Sequence, residues 1–423
     1  MNQRWKLVLA FTIAACLISA SRVIAAPPWT DPRYLYRYFF WGIPSSLSKS
    51  DDWKLFPYHT IDNAPAAFHF TAGAAGLLPE MVEYHDGDTL KSVALDELLR
   101  STGTHAFIVI RDDKLLYEDY FNGYQRDSIC VSRSVAKSFT SALVGIAIQD
   151  GFIKSVDDPI TNYLPELKGQ PGFDSITIKN LLTMGSGIRY RLHDLPWQEE
   201  AVSYFYPDLT KLMLSDLGID EPPGQSFHYN DYDTELLGLI LKRVTHQTPS
   251  EYLQEKIWKP LGMEYPATWS IDSEEDGLEL MYVLLNARAI DFAKFGQLFL
   301  DNGNWNGKQI IPARWVIEST TRDPNDNRPW ETYPDFRDDG GYYKYFWWGR
   351  TFGADDYIFE AQGLWGQDIF VCPKTKVVIV RTASNWGSIG PGGWNQVMRY
   401  IATHVGESST DAATPRIAPT LAP

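Results

Sequence analysis

Short runs of β-branched and aromatic residues open and close the body of this chain, and longer runs of helical period lie between them. Thr104 to Arg111 and Leu115 to Phe121 flank the turn Asp112-Asp113-Lys114, which predicts a β-hairpin. From Val135 the apolar positions Val135, Ala136, Phe139, Leu143, Ile146 and Ala147 recur every three or four residues, and Gly151 closes the run. An amphipathic helix of about four turns is predicted there. A second helix is predicted over Thr234 to Val244, after Pro222-Pro223-Gly224, and a third from Ala289 through Phe292, Phe295, Leu298 and Phe299. Strand character returns in Asp368 to Cys372 and Lys376 to Thr382, either side of a Pro373-Lys374 turn. Strands first, helices between and strands last predict a sheet domain assembled from both ends of the chain around a helical insertion. The predicted sheet domain spans 89–160 and 280–405, and the mainly helical subdomain spans 161–279. Residues 27–88, with Pro27, Pro28, Pro44, Pro57 and Pro65, read as a loop-rich extension draped on this body, and 406–423, rich in Ser, Thr, Ala and Pro, as a disordered tail. No period of 20 to 50 residues repeats, which argues against a solenoid or propeller.

Composition narrows the function classes. With 44% hydrophobic residues over 423 positions there is ample material for a large core. A formal charge of −15 removes the electrostatic attraction that nucleic-acid binding relies on. Aromatics make up 14% and cluster in runs such as Tyr342 to Trp348, either lining a cleft or packing. At the start, Arg4 and Lys6, the apolar run Leu7 to Ala20, and the small-residue exits Val23-Ile24-Ala25 or Ile24-Ala25-Ala26 read as an export signal over residues 1–26. Its removal takes three cations and no acid, leaving a more acidic body for the periplasm or the outside of the cell. Ile13-Ala14-Ala15-Cys16 also resembles a lipobox, so a lipid anchor at Cys16 is an alternative, although apolar residues continue past it. A retained spanning helix is disfavoured because the apolar run falls short of about 20 residues.

Past the signal only Cys130 and Cys372 remain, compatible with one bridge but not with a disulfide scaffold. No Cys/His cluster has metal spacing, and no HExxH, CxxC, GxSxG, Walker loop or GxGxxG occurs. Asp323 to Asn327 imitates a calcium loop, but Arg328 stands where Gly is needed and Pro334 where Glu is needed. A solvated turn is the better reading.

Ser134-Val135-Ala136-Lys137 places a hydroxyl and an amine one turn apart at a helix start. An amine so placed can take the hydroxyl's proton if burial or a neighbouring cation lowers its pKa, and the helix start offers N–H groups to a developing oxyanion. The spacing alone is a weak signal, because Ser46-Leu47-Ser48-Lys49 satisfies it in a loop beside Pro44. A capped, exposed helix start is the plain alternative.

Two further features remove that ambiguity. Tyr229-Asn230-Asp231, followed by Leu236-Leu237-Gly238, precedes the second helix, and Gly363-Leu364-Trp365-Gly366-Gln367 precedes the late strands. With Ser134-x-x-Lys137 these resemble the three active-site motifs of serine β-lactamases and penicillin-binding enzymes. Leu181 to Gly187, Trp258 to Met263 and Asp291 to Gly296 fit the same family, and the resemblance covers about residues 90 to 405. It implies an α/β (α+β) fold of β-lactamase/transpeptidase type, an antiparallel sheet flanked by helices. It also implies a Ser134 nucleophile forming an acyl-enzyme, with Lys137 and Tyr229 as proton-transfer partners, and no cofactor or metal. The oxyanion hole would be the N–H groups of Ser134 and of Gln367, just after Gly366. Asp231 stands where many relatives carry Asn; it would hold Lys137 charged, which makes Tyr229 the better base.

The third motif departs from the family's usual form. Leu364-Trp365-Gly366 has neither the Lys or His nor the hydroxyl that would meet a substrate carboxylate. This points to the esterase, amidase and 6-aminohexanoate-dimer hydrolase branch, with a small ester, amide or peptide-like substrate. Trp365 then reads as a cleft wall, and Tyr190 and Trp197 as contacts on a loop over the cleft. His228 alternates away from Tyr229 along an extended stretch, His193-Asp194 reads as a solvated loop, and Cys130 as a small buried residue. The alternatives are a β-lactamase or D,D-peptidase on the same fold, and a non-catalytic cell-envelope binding module.

Overall fold

The computed structural model describes residues 26–41, 51–74, 77–193, 195–353 and 355–406. The export signal up to residue 25, Cys16, the Ser46-x-x-Lys49 repeat of the serine–lysine spacing and the tail past residue 406 lie outside the described residues.

Asp112 and Asp113 both take left-handed backbone, with φ of 48° and 61°. That is the geometry of a two-residue hairpin turn matched to the twist of its strands. The turn joins two members of an eight-stranded sheet: in chain order β1 (Thr71–Ala72), β2 (Thr104–Arg111), β3 (Lys114–Tyr120), β4 (Gly341–Lys344), β5 (Trp347–Gly353), β6 (Asp356–Gly363), β7 (Gln367–Cys372) and β8 (Val377–Ala383). Their spatial order is β4-β5-β6-β7-β8-β2-β3-β1, antiparallel except where β1 runs parallel to β3 at the edge. The hairpin from the first part of the chain thus closes onto β8 from its end, with Phe107 opposite Arg381 and Val109 opposite Ile379.

Both faces of the sheet are covered, so its central strands read as continuous apolar runs rather than alternating ones. Ala106, Ile108, Ile110, Ile369, Val371, Val378 and Val380 belong to the core shared with α1 (Ala136–Gln149), α2 (Asp231–Thr245) and α3 (Ala289–Leu300). Their neighbours Phe107, Val109, Phe370, Cys372, Val377 and Ile379 face the other way, onto Leu98, Leu99 and Trp394, Val397, Met398 and Ile401 of α4 (Gly390–His404). Cys130 lies in the first core and Cys372 in the second, both as free thiols. The sheet between them excludes a bridge.

The aromatic run Tyr342 to Trp348 is a hairpin: Tyr345 and Phe346 take φ of 45° and 65° and turn β4 into β5, with all seven residues buried. Among the described residues, the span 161–279 holds four further α-helices beside α2, together with the strand Ala267–Ser270. That strand pairs on one side with Tyr58–Ile61 and on the other with Leu285–Ala287. The segment 27–88 is therefore more than a drape. It supplies β1, the strand Tyr58–Ile61, and the helix Pro32–Phe40, whose Tyr34 hydroxyl donates to the Pro196 carbonyl at 2.7 Å. The expected boundary at residue 88 cuts a hairpin, since Met81–Asp86 pairs with Thr89–Ala94.

Beneath α4 a buried carboxyl pair, Glu360 on β6 and Asp368 on β7, shares a hydrogen bond, and Asn395 donates to Glu360. Burial pushes the Glu360 carboxyl up to about 7, against the pull of Asn395 and Asp368. A raised carboxyl pKa means that the folded chain keeps a proton the unfolded chain releases, so this group's contribution to stability falls as pH rises from 4.5 to about 7. Thermal midpoints across that window should decline in the native protein and decline less in Glu360→Gln.

Candidate active site

Ser134 sits in a 3₁₀ turn, Arg133–Val135, that runs straight into α1. One turn on, Lys137 Nζ donates to Ser134 Oγ at 2.9 Å. The lysine side chain is 1% exposed, and Nζ lies 2.8 Å from Asp231 Oδ1. It also donates to the Tyr282 carbonyl at 3.3 Å and stands 4.8 Å from the centre of the Tyr229 ring. Asp231 opens α2, which Asn230 caps by accepting the Tyr232 N–H at 3.0 Å. The helix start favours the carboxylate there. Two residues before Asp231, Tyr229 hydrogen-bonds both Ser134 and Lys137. Its ring stacks on Trp348, with centroids 5.8 Å apart.

The electrostatics follow from burial and partners. Desolvation pulls the Lys137 ammonium down, but Asp231 and then Tyr229 outweigh it, so the lysine is held charged above its ordinary value. Desolvation pushes the Tyr229 phenol up, and the opposing pull of Lys137 does not cancel it. The resting site therefore pairs an ammonium with a carboxylate and keeps the tyrosine protonated.

The other residues named from sequence fall in different places. Tyr190 is buried and donates to Asp231 Oδ2 at 2.7 Å, with Ser203 Oγ 3.2 Å away. It supports Asp231 and does not line the cleft as expected. Trp197 is 55% exposed and lies outside the residues lining the cleft. In the turn between β6 and β7, Trp365 takes φ of 70° and rests against Trp386 at 5.2 Å, so the cleft wall is Leu364, 46% exposed. The left-handed backbone at Trp365 swings the indole off the cleft side. Gly366 follows with φ of 87°, and Arg381 pins its carbonyl at 3.2 Å while also donating to the Thr102 carbonyl at 2.8 Å. At Gly363 a Cβ would lie 2.6 Å from the Ser132 carbonyl, so glycine lets this turn lie against the Ser134 turn. The Gln367 side chain is committed to β8, with Nε2 donating to the Ala383 carbonyl at 2.5 Å and Oε1 accepting its N–H at 3.2 Å. His228 turns away from Ser134, its Nε2 2.5 Å from the Tyr190 carbonyl. Burial pushes the Cys130 thiol up to about 11, and Thr382 donates to its sulfur at 3.3 Å.

The cleft over Ser134 has a volume of about 90 Å³ and is also lined by Arg133, Glu200, Tyr204, Tyr282 and Val283. Arg133 has left-handed backbone, φ 48°, directly before Ser134. Its buried guanidinium meets Asp52 Oδ2 at 2.9 Å, and the Tyr204 hydroxyl donates to the same oxygen at 2.6 Å. Desolvation pulls the guanidinium down, but Asp52 outweighs it and keeps Arg133 charged. The strained turn that presents Ser134 is thus held from the far N-terminal segment. Arg133 was open to notice as the residue beside Ser134, whereas nothing local marks Asp52 or Tyr204.

The beta-lactamase family model matches residues 68–393. The chain belongs to the beta-lactamase family. It is a hydrolase of that family, similar to the 6-aminohexanoate-dimer hydrolase of Paenarthrobacter ureafaciens, with 27% identity over 322 residues covering 74% of this chain and 80% of the relative. Among solved structures it is similar to a Bacillus anthracis protein assigned provisionally as a 6-aminohexanoate-dimer hydrolase, with TM-score 0.70, 25% identity, and coverage of 92% of this chain and 100% of that one. The octameric penicillin-binding protein homologue of Pyrococcus abyssi shares the fold, with TM-score 0.56, 20% identity, and coverage of 74% of this chain and 76% of that one.

Because Asp52 neutralises a buried cation, Asp52→Ala should destabilise the protein by about 3 kcal/mol, which denaturant unfolding measures. Tyr190→Phe should cost about 1 kcal/mol through the lost hydrogen bond to Asp231, with the fold retained by circular dichroism.

Proposed function

We propose that this family member is an exported serine hydrolase that cleaves linear amides or carboxylic esters through an acyl-enzyme on Ser134. The observation that carries the reading is the convergence of Ser134 at 2.9 Å, Asp231 at 2.8 Å and Tyr229 on the one buried ammonium of Lys137. In this mechanism Ser134 Oγ attacks the substrate carbonyl carbon. Lys137, charged, steadies the oxygen as its proton leaves. Tyr229, a phenol at rest, accepts that proton while passing its own to the leaving nitrogen or oxygen, and the bond from carbonyl carbon to leaving group breaks. Water then attacks the Ser134 ester, with the relay run in reverse. The backbone N–H groups of Ser134 and Gln367 serve as the oxyanion hole.

The substrate class rests on charge. Of the cations that reach the site, Lys137 is paired with Asp231 and Arg133 with Asp52, while the Leu364-Trp365-Gly366 turn carries none. A carboxylate such as that of a penicillin finds no unpaired cation among these groups, which favours esters and linear amides. The relative named a 6-aminohexanoate-dimer hydrolase supports the amide reading. Export rests on the basic start, apolar run and small-residue exit of residues 1–26.

Intact-mass spectrometry with a p-nitrophenyl ester, a linear amide and a penicillin tests this reading. A transient adduct from ester or amide, absent in Ser134→Ala, is expected; a stable penicillin adduct would instead indicate a penicillin-binding enzyme, and no adduct with any probe a binding module. Lys137→Ala and Tyr229→Phe should each lower kcat/KM by about 10²- to 10⁴-fold. Raised pKa values keep the ammonium and the phenol protonated to higher pH, so kcat/KM should hold up to the ordinary tyrosine value of 10.0. An alkaline limb with a midpoint below about pH 9 would contradict the assigned protonation states.

A further inference from the structure

A second cavity, of about 270 Å³, lies between the helix Ile178–Leu182 and the segment 322–344, and shares no lining residue with the Ser134 cleft. Five cationic side chains line it, Lys179, Arg322, Arg328, Arg337 and Lys344, against the two carboxylates Asp323 and Asp326. On a chain of formal charge −15 this is a local reversal of sign. Two of the five are matched within the protein. Arg328 grips Asp326 with two hydrogen bonds, of 2.9 and 2.8 Å, and Lys344 lies 2.9 Å from Glu318. Lys179, Arg322 and Arg337 have no carboxylate within ion-pair distance among the described residues. Asp323 is turned into its own loop, accepting the Asn325 N–H at 2.9 Å. Trp330, stacked on Phe227 at 4.0 Å, forms a flat wall.

Five cations against two carboxylates leave a positive surplus around the cavity that a bound anion would offset, and guanidinium groups match phosphate and carboxylate geometry. The volume suits a small ligand. We propose that this cavity binds a small anion carrying two or more phosphate or carboxylate charges. The occupant would lie against the extended segment that leads from Phe227 to Tyr229. Phe227 N–H donates to the Pro329 carbonyl at 2.8 Å, Tyr229 N–H donates to Thr332 Oγ1 at 2.9 Å, and Tyr343 both lines the cavity and packs on Tyr229 at 6.0 Å.

Titration calorimetry at low ionic strength with pyrophosphate and with citrate tests the proposal, and because it reads heat rather than turnover it stands or falls apart from the catalytic reading. One saturable site per chain is expected. It should be weakened tenfold or more in Arg322→Gln/Arg337→Gln, weakened by added salt, and unchanged in Ser134→Ala. Tighter pyrophosphate would identify a phosphate ligand, and tighter citrate a carboxylate. If the double variant does not fold, Lys179→Gln reads the same effect, as a loss of about threefold. Absence of saturable binding with both anions, or undiminished affinity in a folded variant, would overturn the proposal.

Discussion

The buried pair of Lys137 and Asp231 is the constraint around which the site is organised. Taking an ammonium out of water costs several kcal/mol, which a carboxylate offsets only if its own lone pairs are also held. The fold meets this requirement with a closed ring of contacts. Tyr190 donates to Asp231, the Tyr190 and Tyr282 hydroxyls both meet Ser203, and the Tyr282 carbonyl returns to Lys137 Nζ. α1 and α2 are thereby clamped at the point where both begin, and the clamp sets the spacing of Ser134 from Tyr229. The pair also sets protonation: with its charge matched, the lysine stays an ammonium and donates to Ser134, and in the proposed mechanism the acceptor role is therefore given to Tyr229.

What could be read from sequence follows the range of each interaction. The Ser134 and Lys137 relation is one helical turn long, so its spacing was visible in sequence, but only the order of motifs that also marked Tyr229 and Asp231 told it apart from Ser46-x-x-Lys49. The two-residue hairpin at Asp112 and Asp113 announced itself through turn chemistry. The strands from Gly341 to Gly363 did not, because both their faces are buried and their turn is made by Tyr345 and Phe346, aromatic residues in left-handed backbone. The same kind of backbone reversal at Trp365 exchanged the expected wall for Leu364. Tyr190 looked like a surface contact because nothing nearby shows that Asp231, 41 residues on, needs its hydroxyl. Asp52 was beyond any local signal, since its partners are at positions 133 and 204.

The support of Arg133 by Asp52 and the seating of β2 against β8 bear on how the molecule is assembled in time. The turn that presents Ser134 needs a carboxylate from residue 52, a hydroxyl from residue 204 and a sheet whose fifth and sixth strands in space are β8 and β2, from opposite parts of the chain. These are contacts of high sequence separation, which form late and slowly because long loops must close first. A nascent chain that has not yet presented residues 377–383 leaves β2 with an open edge, the form of strand most prone to pair with a neighbour. Hydrolysis would therefore report on completed folding of the chain as a whole, since residues 134, 137 and 229 are synthesised before the strand at 377–383 that completes the sheet beside them.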